Sequence, residues 1–145
     1  MQAENAVAHF QRRYPAACRE WTAAEAALRA GAGTQEPARV AGLCRQAMRA
    51  FARALAESGG TPAAAGDDAP DDVLRGLVGH WSGASDIATG DFLASLVEHW
   101  SQLSDPGRWT PVPGETQHSL PDREAAQTLV YQTLTVMYLM DRLRP

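Results

Sequence analysis

Val40-Ala-Gly-Leu-Cys-Arg-Gln-Ala-Met-Arg-Ala-Phe-Ala-Arg-Ala-Leu55 decides the fold class of this chain. Val40, Cys44, Ala47, Phe51 and Ala54 recur at four- and three-residue intervals, and Leu43, Met48 and Leu55 widen that line. Only a 3.6-residue period gathers these side chains on one face, in a stripe broad enough to meet two neighbours. Arg45, Arg49 and Arg53 line a different face. A helix is therefore expected from about Pro37 to Ser58, and its stripe must be covered by other helices.

Upstream, Val7, Phe10, Tyr14, Cys18, Trp21, Ala24 and Leu28 keep helical spacing from about residue 3 to residue 30, where Gly31 and Gly33 stop it. Pro15 interrupts this run, so either the helix kinks there or a second helix begins with Pro15 in its first turn. Residues 1–58 thus predict a helical hairpin turning about residue 33. Residues 59–70, rich in Gly, Ala and Pro, make a flexible connection, and Pro70-Asp71-Asp72 reads as the first turn of the next helix.

An internal repeat follows. Asp72-Val-Leu-Arg-Gly-Leu-Val-Gly-His-Trp-Ser-Gly-Ala-Ser-Asp86 aligns with Asp91-Phe-Leu-Ala-Ser-Leu-Val-Glu-His-Trp-Ser-Gln-Leu-Ser-Asp105, with nine of fifteen positions identical. Each copy runs an L-x-x-L-V face into a Trp and ends on Ser and Asp, residues that favour caps and turns. Residues 71–105 are expected to be two short helices. Residues 106–119 read as a Pro/Gly loop. The last helix, 120–144 at its widest, begins near Ser119 or Leu120 and carries no charge from 125 to 140, which makes it the expected centre of the bundle. The expected fold is one all-α domain over 1–145, a bundle of four or five helices with a central C-terminal helix.

Composition narrows the function classes. The 145 residues hold 13 arginines, no lysine and 17 acids, a net charge of −4. An acidic chain is not a dedicated nucleic-acid binder. At 45% apolar and 21% charged residues it is not a disordered one either. The charge is uneven: residues 1–58 balance to +3 and residues 59–145 to −7, which favours docking between the halves, within one chain or head to tail. The opening residues lack the basic and apolar segments of a secretory leader, and 125–140 is too short and polar to span a bilayer. A cytoplasmic chain with no membrane partner is expected. Cys18 and Cys44 lie on apolar stripes, and a hairpin about residue 33 sets Cys18 opposite Met48, so two reduced core thiols are expected.

Candidate chemistry is sparse. His80, His99, Asp86 and Asp105 supply two nitrogens and two carboxylates, a metal-ligand set by type. Both histidines end their helices, however, so antiparallel neighbours would hold them roughly 15–20 Å apart. No metal and no cofactor is expected; Trp81 and Trp100 read as core anchors, each with a His beside it at a helix C-terminus. The ridge of Arg45, Arg49 and Arg53 suits an acidic partner or a phosphate backbone, and equally a solvated face. Trp109 either folds back over the bundle end or offers a binding anchor. No Gly-rich phosphate loop, nucleophile elbow or triad spacing occurs.

Ala24-Glu-Ala-Ala-Leu-Arg-Ala-Gly31 and Gly42-Leu-Cys-Arg-Gln-Ala-Met-Arg-Ala-Phe-Ala-Arg-Ala-Leu55 resemble the opening helical hairpin of HEPN domains, small all-α bundles of prokaryotic conflict systems. Many of these are metal-independent ribonucleases with an R-x4-6-H motif, which Arg75-Gly-Leu-Val-Gly-His80 matches in spacing. The resemblance implies Arg75 stabilising phosphate charge and His80 transferring protons at a ribose 2′-OH, at a dimer interface. Two functions are thus expected in order. The first is a non-catalytic interaction module of a bacterial multi-protein system, associating with itself or a protein partner through the apolar surplus of its helices. The second is a HEPN-like ribonuclease toxin using Arg75 and His80, the one reading that brings nucleic acid as a partner. A small-molecule sensor with a pocket beside Trp109 has no polar cluster in its support.

Overall fold

Pro15 has no N–H to donate and its ring crowds the carbonyl four residues back, so the first helical run divides there. The computed structural model describes residues 2–30, 36–58, 69–81, 87–109 and 120–143. Within them the chain forms α1 (Gln2–Arg13), α2 (Pro15–Ala30), α3 (Glu36–Ser58), α4 (Pro70–Trp81), α5 (Ile87–Ser104), α6 (Pro106–Trp109) and α7 (Leu120–Leu143), with no strand among the described residues. The protein is an all-α bundle. Of the two expectations at Pro15, a new helix starting in its first turn is the one realised. Tyr14 is the single non-helical residue between α1 and α2, still tied by its N–H to the Phe10 carbonyl at 2.9 Å.

Tyr14 also shows how the hairpin closes. Its ring meets Phe51 edge-on at 4.8 Å and Phe10 at 5.0 Å, and all three rings are buried. A Tyr14–Phe51 pairing centres the hairpin near residue 33, as the periodicity predicts. The connecting residues 31–35 lie outside the described residues, as do 59–68 of the expected connection and 110–119 of the expected loop.

The stripe that opened the sequence reading becomes the hub of the core. Val40, Cys44, Ala47, Met48, Phe51 and Leu55 are buried, and α3 packs against α2, α4, α5, α6 and α7. α7 packs against α2, α3 and α5 and shares the centre with α3. It lies antiparallel to α2: the Tyr14 hydroxyl donates to Asp141 Oδ1 at 2.7 Å, and the Trp21 indole N–H donates to the Val130 carbonyl at 2.8 Å. Its uncharged run is not buried all round, for Gln127, Thr128, Tyr131 and Thr135 face solvent.

The repeat is two helices that bury the same face. Leu74, Val78 and Trp81 on α4 match Leu93, Val97 and Trp100 on α5, all six buried. α4 and α5 pair antiparallel, with Asp71 beside Ser101 and Arg75 beside Glu98. Trp100 is fully buried, and its indole N–H donates to Thr133 Oγ1 at 2.9 Å, joining α5 to α7. The expected loop at 106–119 begins with one helical turn, α6. Asp105 precedes it, accepting the Gly107 N–H at 3.3 Å through Oδ1 and the Arg108 N–H at 3.0 Å through its carbonyl. No helix among the described residues is long and apolar enough to cross a membrane.

Candidate functional site

Residues 45, 49 and 53 each advance 40° around a helix, so the three arginines span an arc of about 80°. The packing of α4 and α5 against α3 divides that arc. Arg49 and Arg53 are exposed, whereas the Arg45 side chain keeps 16% of its exposure and turns toward α4 and α5. Its Nη2 donates to Asp71 Oδ1 at 2.7 Å, its Nη1 to Ser104 Oγ at 3.0 Å, and its guanidinium lies 5.5 Å from the centre of the Trp100 ring. Arg45 therefore turns inside the molecule while Arg49 and Arg53 stay at the surface, because a long side chain at the edge of a buried stripe covers apolar surface while its head reaches a carboxylate.

A continuous network grows from this pair. Ser101 donates to Asp71 Oδ2 at 2.5 Å and accepts from Arg75 Nη2 at 3.1 Å. Arg75 also pairs with Glu98 and, at 3.1 Å, with Asp72. Burial alone would push the Asp71 carboxyl up; the hydrogen bonds from Arg45 and Ser101, its own backbone and the Arg45 charge outweigh this and hold it below the usual aspartate value. Hydrogen bonding to Arg75 likewise lowers Glu98, and Glu98 in turn raises Arg75. Arg45, Asp71, Ser101, Arg75 and Glu98 so form one strut across α3, α4 and α5.

This arrangement bears on each sequence-level candidate. Arg75 directs its donors at Asp72, Glu98 and Ser101, and Ala94 occupies the equivalent position of the second repeat. His80 lies five residues on, about 140° around the helix from Arg75, and is exposed. Within one chain α4 does not bring the two side chains to a common point. His99 is exposed, with Nδ1 2.5 Å from the Gln132 amide nitrogen. Asp105 is exposed and Asp86 lies outside the described residues; among the described residues no group of three or more His, Cys, Asp and Glu could hold a metal ion. Trp109 is buried at 3% exposure and donates its indole N–H to the Leu103 carbonyl at 2.7 Å, so it folds back on the bundle. Both cysteines are free thiols; burial pushes Cys44 up to about 12, against a lowering hydrogen bond from Thr133.

Two concavities carry no sequence signal as wholes. One, of about 410 Å³, lies between α4 and α5, with Gly79, Gly90 and Ala94 as its small residues and Arg75, Asp91 and Glu98 as its charged ones. The other, of about 380 Å³, lies between α1–α2 and α7. Asp71 and Ser104 were also not legible as partners of Arg45. Comparison with protein-family models, with curated proteins and with solved structures finds no match for this chain.

Proposed function

We propose that this protein is a non-catalytic helical-bundle module that works by protein association, with the outer face of the α2–α3 hairpin as its contact surface. The observation that carries this is the solvent stripe of α3, where Arg39, Gly42, Gln46 and Arg49 are all exposed, beside exposed Ala16, Arg19, Ala23 and Ala26 on α2. Short side chains let another backbone approach, and the guanidinium groups favour an acidic one. The apolar surplus of the helices serves the core instead, leaving Phe92 and Tyr131 as the large apolar side chains exposed among the described residues.

The partner is an acidic protein surface, which the −7 half of a second copy of this chain would supply. The HEPN-like pattern of the first hairpin supports a setting in the cytoplasm, within a bacterial multi-protein system. Light scattering on the purified chain tests the reading. Assembly is expected at low salt and is expected to weaken in high salt, where charges more than a few Å apart are screened. The double variant R39E/R49E should abolish it without changing the fold. A chain that stays monomeric at every concentration and captures no acidic partner overturns the reading. So does RNA cleavage lost on Arg75→Ala and on His80→Ala.

A further inference from the structure

The groove between α1–α2 and α7 exists because two ties hold these helices in place. At one end Tyr14 and Arg13 both donate to Asp141 Oδ1, at 2.7 Å and 2.9 Å. At the other the Trp21 indole donates to the Val130 carbonyl at 2.8 Å. On α7 the tie points are eleven residues apart, about 16 Å at 1.5 Å per residue. Leu134, Tyr138 and Leu139 lie between them and line the groove with Cys18, Trp21 and Phe10. Closing the gap would break one of the ties, so the concavity of about 380 Å³ is preformed.

The lining sets the ligand chemistry. It contains no charged side chain: Gln11, Thr22 and Thr135 are the other contributors. The Trp21 donor is already spent on Val130, and the Thr135 hydroxyl donates to the Tyr131 carbonyl at 2.9 Å. A charged ligand would find no opposite charge in this lining. The volume falls in the range of small-molecule sites. From the cavity, its ties and its neutral lining, we infer that the groove binds a small, uncharged, mainly apolar molecule, flat enough to lie along Trp21 between α2 and α7. This site does not rest on the association surface, which occupies another side of α2.

Cys18, half-buried at the groove, is a built-in reporter. The test uses the neutral dye N-phenyl-1-naphthylamine with the full chain. Saturable one-to-one binding is expected, with Trp fluorescence changing in parallel. Dye at about ten times its Kd leaves about a tenth of sites open, so reaction of Cys18 with an aromatic disulfide reagent should slow about tenfold. Thr135→Trp fills the groove from its exposed rim and should abolish binding, whereas Gln102→Trp, exposed on α5 and outside the groove lining, should not. Non-saturable uptake, binding that leaves Cys18 labelling unchanged, or full affinity in a folded T135W protein overturns the inference.

Discussion

The Arg45–Asp71 pair is the sharpest place to test how this bundle is held. At 2.7 Å and an effective dielectric of 20, opposite unit charges attract by about 6 kcal/mol. The side chains keep only 16% and 13% of their exposure, and taking each ion out of water costs several kcal/mol, so the pair as a whole is close to neutral. Losing one partner is different, because it strands the other. Arg45→Met and Asp71→Asn should each destabilise by about 2–4 kcal/mol, and the double variant should cost less than their sum by about 2 kcal/mol. Urea unfolding of the four proteins measures this directly. The acid limb supplies an independent reading. Asp71 has a folded pKa below its unfolded value of about 3.9, so its contribution is fully present above about pH 4 and fades as pH falls through the folded value. Asn at 71 should therefore flatten the loss of stability below about pH 4. Additivity within about 0.5 kcal/mol, with an unchanged acid limb, would refute the pairing.

Substitutions at two further positions address the buried polar atoms around α7. Thr133→Val keeps the shape but leaves the Trp100 N–H without its acceptor in a fully buried site, which should cost about 1–3 kcal/mol by urea or thermal unfolding. Thr133→Ser, which retains the hydroxyl, should recover most of that loss. Gln132 presents the opposite case, since its Oε1 is buried with no hydrogen-bond partner. Gln132→Met removes that acceptor together with the exposed amide contact to His99 Nδ1, and should be neutral or stabilising by up to about 1 kcal/mol; a clear fall in melting temperature would show that the amide is needed.

How far the sequence could be read depends on the range of each interaction. The stripe from Val40 to Leu55 is a matter of period alone, and every member sits where the period puts it except Leu43 and Ala54, which are half-buried. The repeat also announces its buried Leu, Val and Trp positions without knowledge of neighbours. Arg45 shows where such reading stops. Asp71 lies 26 positions away, and the register of α4 on α3 is set by packing, which no local pattern encodes. The uncharged run of α7 marks the central helix but not which of its faces are wet: Gln127, Thr128 and Thr135 are neutral, polar and exposed. For Trp109 a signal was present, since Asp105 followed by Pro106 is an N-cap with proline at the first helical position. The groove lined by Cys18 had none, because a cavity is defined by the spacing of two helices.

The uneven charge of the chain finds its physical meaning in these contacts. Arg13–Asp141 and Arg45–Asp71 each join the basic first 58 residues to the acidic remainder, one at the α1–α2 break and one where α4 begins. Arg45 sits at the edge of the α3 stripe and over the Trp100 ring, so it also shields the core while aligning the halves. Arg75, by contrast, pairs among the described residues with Asp72 and Glu98 of its own half, and these pairs neutralise none of the asymmetry. Arg39 and Arg49 remain exposed on the solvent stripe of α3. If intramolecular docking were the whole purpose of the basic half, reversing these two charges would only bring the hairpin nearer to the acidic balance of the rest. Unchanged folding with lost assembly in R39E/R49E therefore separates the arginines that build the bundle from those that present it to a partner.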